Sequence, residues 1–174
     1  NYFNVQYKGV SNKASTASSV SVTTANTTYY AYYQGTITYY YYNGTDHTSS
    51  TATKTIVLDG SKPVCTVDKV PTPGAYDEAE YKGWSISNTA ITPRAPNGTS
   101  SAILYAYYQK TVTATFNYHN GTAKTSTTAD ATRTYISKSG GINTVNANIT
   151  VPDAVKGNRT ISSVVHTYRG VSTS

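Results

Sequence analysis

The side chains that could perform acid–base or metal chemistry are few in this sequence and widely separated. His47, His119 and His166 show neither an H-x-x-H nor an H-x-x-x-H spacing, although the second is the spacing with which a helix holds zinc. The acidic residues form no D-x-D-x-D series of the kind that binds calcium. We interpret the histidines as surface residues near turns, and we expect no metal site and no cofactor.

Asp77, Glu78 and Glu80 form the single acidic cluster. Two opposed carboxylates catalyse glycoside hydrolysis, but adjacent carboxylates on one short turn more often form a solvated face. Residues 75–80 also carry the only suggestion of helix, which is too short to exceed a turn or two. Because no nucleophile, base and orienting residue stand in a recognisable arrangement, we do not expect an enzyme.

Cys65 is the single cysteine and forms no intramolecular disulfide. Its surroundings, Pro63-Val64-Cys65-Thr66-Val67, are compatible with a reactive thiol or with a small buried hydrophobe. The second interpretation is favoured because free cysteines are usually buried. Stability must then come from packing between elements or between repeats.

The composition is that of a β-rich, weakly charged chain. Its 174 residues include 18 Tyr, no Met and 13% charged residues, and such a composition suits strands and polar sheet surfaces. The net charge is +6, but Lys and Arg occur without a run of three, whereas binding along a phosphate backbone favours a clustered patch. We expect no nucleic-acid partner. No apolar run reaches the length of a membrane span, so we expect no membrane insertion in this segment.

The chain repeats itself. The pentapeptide Tyr30-Ala31-Tyr32-Tyr33-Gln34 recurs as Tyr105-Ala106-Tyr107-Tyr108-Gln109, an offset of 105 − 30 = 75 residues. A second marker, Tyr7-Lys8-Gly9-Val10-Ser11, recurs as Tyr81-Lys82-Gly83-Trp84-Ser85 at an offset of 81 − 7 = 74 and again as Tyr168-Arg169-Gly170-Val171-Ser172. Recurrence in the same order predicts a duplicated fold.

A third marker, Asn-Gly-Thr, begins at Asn43 and at Asn120, displaced by two residues relative to the pentapeptide in the second case. Counted from just after the pentapeptide, residues 1–36 end one repeat, residues 37–110 form a complete repeat and residues 111–174 belong to the following one. Counted from the Tyr-Lys-Gly marker, residues 1–75 and 76–174 form two modules. The sequence leaves this phase open.

Within each copy the hydrophobic pattern has a period of two, which is typical of half-buried strands. In one segment the apolar face consists of Val112, Ala114, Phe116 and Tyr118. In the equivalent segment the alternation predicts Ile37, Tyr39 and Tyr41 inward and Tyr40 and Tyr42 outward. Residues 53–58 and 103–107 are predicted as further strands. The expected fold is mostly β, with tandem small β-grasp-like modules and little helix.

Large aromatic side chains provide the predicted structural core, which consists of Trp84, Phe116, Tyr105 and Tyr30. A lone Trp beside Gly83 could stack on a sugar, but its replacement by Val10 and Val171 in the other markers favours a packing role.

Tyr40 and Tyr42 are the candidate binding residues. Their counterparts at an offset of 75 residues, Thr115 and Asn117, are polar, so the fold itself does not require aromatic residues there. Exposed Tyr pairs favour recognition because each ring brings rigid area and a hydroxyl. The alternative is that both rings pack against the adjacent unit or a loop.

The complete unit resembles the Listeria-Bacteroides repeat, also called the internalin B-repeat, of bacterial surface proteins. The resemblance rests on Thr115-Phe116 with Asn120-Gly121, on Tyr81-Lys82-Gly83-Trp84, and on Leu104-Tyr105-Ala106-Tyr107. Val10 and Val171 depart from the family at the Trp position, and Tyr107 or Tyr32 replaces its closing Trp. The resemblance implies a β-grasp-like fold and a surface-displayed spacer or adhesion module, and it brings no catalytic residue.

The leading hypothesis is a structural spacer or stalk of a bacterial cell-surface protein or adhesin, whose partners are neighbouring repeats of the same chain. The alternative is an adhesion module that binds a host glycan or protein through its Tyr-rich face. Residues 1–7 lack the regions of a signal peptide. We therefore expect an extracellular segment of a longer protein, with targeting signals and a wall anchor outside it.

Overall fold

This computed structural model describes residues 5–15, 17–23, 27–60, 62–97 and 102–173. These residues form β-strands and no helix. The strands are β1 (Gln6–Ser11), β2 (Tyr30–Tyr42), β3 (His47–Asp59), β4 (Lys62–Val67), β5 (Glu80–Ser85), β6 (Pro93–Arg94), β7 (Ile103–His119), β8 (Lys124–Lys138), β9 (Gly141–Val145), β10 (Arg159–Ile161) and β11 (Val164–His166). The predicted mostly-β class is confirmed. The β-grasp-like arrangement of each module stays a prediction.

The short helix suggested around residues 75–80 is wrong. Tyr76 and Ala79 face each other across a two-residue turn, with backbone N–H to C=O distances of 3.1 and 2.7 Å. The turn residues Asp77 and Glu78 have φ of 47° and 62°, the left-handed geometry that lets such a turn follow the twist of paired strands. Asp77 and Glu78 therefore form a hairpin turn, and Glu80 begins β5.

Within the described part of the chain, nine strands form one mixed sheet, in which β4, β3, β2, β7, β5 and β6 follow one another. In addition, β1 pairs with β2, and β8 pairs with β7 and β9. Most neighbours are antiparallel, as in β2 and β3, which pair from Tyr32 opposite Val57 to Tyr42 opposite His47. The pairing of β2 with β7 is parallel and runs from Thr38 opposite Ile103 to Tyr40 opposite Tyr105.

The chain divides into two compact units. Unit 1 consists of Asn1–Gln109 and Thr134–Val145, and unit 2 consists of Lys110–Arg133 and Asn146–Ser174. In unit 2, β10 and β11 form a separate two-stranded sheet. This division reflects which residues pack together and does not show where one sequence repeat ends and the next begins. The repeat boundaries drawn from the sequence therefore remain predictions.

The first two Tyr-Lys-Gly markers pair with the two pentapeptides in the same register. In β1 and β2, Tyr7 lies opposite Tyr33 and Gly9 opposite Tyr32, with a bulge between the two pairs. In β5 and β7, Tyr81 lies opposite Tyr108 and Gly83 opposite Tyr107, with the bulge at the same place. We call β1–β4 the first copy and β5–β9 the second copy.

Both bulges need glycine. Gly9 and Gly83 have φ of 153° and 155°, where side chains are rarely accommodated. A Cβ on Gly83 would also lie 3.1 Å from the Cε1 atom of Tyr107, and one on Gly9 would lie 3.4 Å from the same atom of Tyr32. The backbone therefore passes close over an equivalent ring in each copy.

The two Asn-Gly turns have the same hydrogen bonds. The Asn43 Oδ1 atom accepts hydrogen bonds from the N–H groups of Thr45 and Asp46 at 2.8 Å. In the same way, the Asn120 Oδ1 atom accepts hydrogen bonds from the N–H groups of Thr122 and Ala123 at 2.9 Å. When the two copies are aligned on these turns, equivalent residues are 120 − 43 = 77 positions apart. Tyr40 thus corresponds to Asn117 and not to Thr115, because the two extra residues of the second copy lie within β7.

Candidate functional site

The main buried cluster lies in unit 1, where β2 of the first copy meets β5 and β7 of the second. Its members are Ile37, Tyr39, Ala52, Ala79, Trp84, Leu104, Ala106, Tyr108 and Tyr135. Tyr39 and Leu104 are adjacent across the parallel pairing, and neither has exposed surface. The two copies therefore share one core.

Trp84 lies inside this cluster, with 3% of its surface exposed. Its ring centroid is 4.9 Å from that of Tyr39 and 5.8 Å from that of Tyr81. The indole packs between aromatic residues of both copies, and it does not offer a stacking face for a sugar.

Tyr105, Tyr30 and Phe116 are half-buried and lie outside the buried cluster. In β7 the residues without exposed surface are Leu104, Ala106 and Tyr108, so Tyr105 is on the opposite face. The buried tyrosines of the cluster are instead Tyr39, Tyr108 and Tyr135. A signal for Tyr108 was present in the sequence, since alternation places it on the face of Leu104 and Ala106.

The buried phenols are held by hydrogen bonds to the backbone. The Tyr39 hydroxyl donates to the carbonyl of Pro96 at 2.6 Å. The Tyr108 oxygen accepts the backbone N–H of Tyr42 at 2.8 Å, a bond from the second copy to the first. Burial raises the pKa of Tyr39 and of Tyr81 to about 12. These phenols are neutral donors and acceptors at physiological pH, which suits a structural role.

Tyr40 lies on the face of β2 opposite the core. Its ring stacks on that of Tyr105, with centroids 5.5 Å apart and planes 14° from parallel, and both side chains are half-buried. The pair bridges the first and second copies on the outer side of the sheet. It leaves part of two parallel rings open to solvent.

Tyr42 is half-buried and packs against the main cluster. Its ring centroid is 5.1 Å from that of His47 and 5.1 Å from that of Tyr76, in the loop before β5. Tyr42 thus follows the alternative that the sequence left open, packing against a loop. The structure does not bring Tyr40 and Tyr42 together into one exposed pair.

Asp77, Glu80 and His119 each have a different partner. Asp77 accepts a hydrogen bond from the hydroxyl of Tyr135 at 2.5 Å, and Glu80 forms an ion pair with Lys82 at 2.7 Å. The Nδ1 atom of His119 accepts the N–H of Gly121 in its turn at 3.0 Å, and His166 is exposed in β11. Within the described ranges, no three His, Cys, Asp or Glu side chains are grouped as a metal site.

Lys54 is a buried charge that sequence reasoning did not identify. It lies in β3 without exposed surface, and burial lowers its pKa while the nearby Cys65 raises it. Cys65 is half-buried in β4, and its pKa is raised by burial and lowered by Lys54. The net upward direction favours the thiol over the reactive thiolate.

The serines of the first two Tyr-Lys-Gly markers are buried hydrogen-bonding centres that the sequence did not reveal. Ser11 and Ser85 have no exposed surface. The Ser85 hydroxyl donates to the carbonyl of Ser87 at 2.7 Å and accepts the N–H of Thr92 at 2.9 Å. Ser11 makes the equivalent bond to the carbonyl of Lys13 at 3.1 Å. The serine thus ties down the loop after the marker strand in both copies.

No known protein family, curated protein or solved structure matches this chain. Among the described residues, no helix is long and apolar enough to cross a membrane.

Proposed function

We propose that this chain is a structural spacer in a bacterial cell-surface protein or adhesin, in which successive copies of one β-rich repeat hold a more distal domain away from the envelope. The observation that carries the proposal is the parallel pairing of Thr38–Tyr40 with Ile103–Tyr105. This pairing joins a strand of one copy directly to a strand of the next. A spacer needs such continuity because a flexible hinge between copies would let the distal domain fold back.

The shared core gives the continuity its stability. Ile37 and Tyr39 of the first copy and Leu104 of the second are fully buried in one cluster. Neither copy could keep its apolar face covered if the other were removed. Repeat proteins gain stability from neighbours in this way, since part of the folding free energy lies in the interface between repeats.

The surface location is supported by the sequence resemblance of Tyr81-Lys82-Gly83-Trp84 and Leu104-Tyr105-Ala106-Tyr107 to the Listeria-Bacteroides repeat. The weakly charged, hydroxyl-rich composition suits an extracellular stalk, because many Thr and Ser side chains keep a sheet surface hydrated.

A display experiment tests the proposal. The chain is placed between a wall anchor and an epitope-tagged folded domain on a bacterial surface, and antibody binding to the epitope is measured by flow cytometry. We expect deletion of the chain to reduce antibody binding and an unrelated rigid spacer of similar length to restore it. Antibody binding that is unchanged by the deletion would contradict the proposal.

The stacked rings of Tyr40 and Tyr105 favour a second candidate, an adhesion module that binds a host glycan or protein through this outer face. A glycan array and a pull-down from host-cell membranes would compare the wild type with Tyr40→Thr/Tyr105→Thr. The matched control is Tyr33→Thr, which removes a half-buried ring elsewhere on β2. Saturable binding lost only in the double variant would replace the spacer by the adhesion module.

A further inference from the structure

A cleft of about 690 Å³ lies in unit 2 between the second half of β7 and the third Tyr-Lys-Gly marker. One wall is formed by Ala114, Thr115, Phe116, Asn117 and Tyr118. The other wall contains the marker residues Tyr168, Gly170, Val171 and Ser172, followed by Thr173. Val155 completes the lining.

The equivalent space in unit 1 is filled by a strand. There, the walls are the second half of β2 and the marker strand β5, and the first half of β7 lies between them. Residues 103–105 of β7 pair in parallel with β2, and residues 105–109 pair antiparallel with β5. At the turn-based offset of 77, Thr38–Tyr40 corresponds to residues 115–117, which line the unit 2 cleft.

The cleft walls carry apolar residues that are buried at the equivalent positions of unit 1. Ile37 and Tyr39 are fully buried by the strand beside them, whereas their counterparts Ala114 and Phe116 are only half-buried. Trp84 is 3% exposed, whereas Val171 at the same marker position is 56% exposed. The apolar positions of the repeat are therefore present on both walls but are only partly covered.

Both sides of the cleft also have a backbone edge outside any described strand pairing, although the Tyr168 N–H already donates to the Asn158 Oδ1 atom at 3.3 Å. Among the described strands, β8 is the only one that pairs with β7 beyond Gln109. The marker residues 168–172 belong to no described strand. Gly170 has φ of 131°, within the glycine-favoured range used at the bulges of Gly9 and Gly83. Unpaired edges of this kind accept an added strand through main-chain hydrogen bonds.

We propose that this cleft is an acceptor slot for one more strand of the Leu-Tyr-Ala-Tyr-Tyr-Gln type, supplied by a further copy of the repeat joined to this chain. The pairing in unit 1 sets the register. The incoming Leu would lie beside Phe116, the Ala opposite Val171, and the first Tyr after it opposite Gly170. Its Leu, Ala and second following Tyr would face the core side, where they would cover Ala114 and Phe116.

The inference rests on the repeat organisation of the proposed function but not on the surface location. A filled slot in a chain that fails to hold a distal domain away would refute only the spacer. An empty slot in a chain that does hold it away would refute only this inference.

The test is an extension of the full chain in which the sequence of residues 88–109 is copied after Ser174, because the marker Ser85 corresponds to Ser172. Hydrogen exchange of residues 114–118 and 168–172 is measured by mass spectrometry. We expect amide exchange in both segments to slow by at least about tenfold relative to the unextended chain. The matched control extension carries Asp at the copied positions of Leu104, Ala106 and Tyr108, and it should leave exchange unchanged.

Two outcomes would overturn the proposal. One is equal exchange with the original and the Asp-bearing extensions, since the slot would then not recognise the apolar face of the strand. The other is slowing that grows with protein concentration and coincides with dimers in size-exclusion chromatography, since the strand would then come from a second molecule.

Discussion

Replacing Leu104 by Ala tests the shared core at the point where the two copies meet. Leu104 has no exposed surface and lies beside Tyr39 across the parallel strands. Removing most of a buried Leu side chain from a packed core costs about 2–5 kcal/mol of unfolding free energy, from lost apolar burial and from the cavity left behind. Because the cluster that contains Leu104 includes several rigid aromatic rings, which limit how far the cavity can collapse, we expect a cost of about 3 kcal/mol.

The adjacent Ile103 provides a matched control. It lies in the same strand and is 44% exposed on the opposite face. Ile103→Ala removes a side chain of the same size, but the cost should stay below about 1 kcal/mol, within the range of strand propensity at an exposed position. The difference between the two variants therefore measures burial and not strand propensity.

Urea unfolding monitored by Trp84 fluorescence gives the free energies, since the single Trp lies in the affected cluster. Leu104→Ala should lower the urea midpoint without changing the slope. Hydrogen exchange should also accelerate in β2 and β3 of the first copy, because Tyr39 lies opposite Leu104 and Ile37 belongs to the same buried cluster. Equal midpoints for the two variants, or faster exchange confined to β5 and β7, would refute the shared core.

Three further predictions concern the bulge, the marker serine and the buried phenols. Gly83→Ala should destabilise the chain by about 2 kcal/mol, from strained backbone and a close tyrosine ring, whereas Gly141→Ala should have little effect; equal urea midpoints would contradict this. Ser85→Ala should cost about 1–3 kcal/mol of unfolding free energy by leaving buried backbone groups unpaired. Ser172→Ala, in the mostly exposed segment Tyr168–Ser172, should cost almost nothing in the same assay. The pKa of Tyr39 rises from 10.0 to about 12 on folding, so the folded state retains a proton that the unfolded state releases. Stability should therefore fall between about pH 10 and pH 12, and Tyr39→Phe should show a shallower fall in urea midpoint with pH; identical pH profiles would argue against this burial.

Local pattern was enough to predict several elements of this fold. The alternation in residues 37–41 predicted Ile37 and Tyr39 inward, and both are fully buried. The repeated markers indicated a duplicated arrangement, and their strands have matching registers around Gly9 and Gly83. These features depend on side-chain period and on turn residues, which are local properties of a chain.

Residues distant in the sequence determine which face of β7 is buried and what packs against the tyrosines of β2. Both faces of β7 carry Tyr, so alternation alone does not tell which face another part of the chain will cover. The parallel pairing of β2 with β7 decides it, placing Leu104 and Tyr108 inside and stacking Tyr105 on Tyr40. In the same way, Tyr76 covers the ring of Tyr42 from a loop far along the chain.

The sequence by itself determined that the chain forms strands, where they turn and which segments repeat, because period, glycine and Asn-Gly turns act within a few residues. Only the tertiary structure decided that the copies share a core and that unit 2 has a half-covered cleft. Those features arise from pairing between strands about 65 residues apart, as in Tyr39 with Leu104, and a one-residue change in such register would exchange the buried and exposed faces.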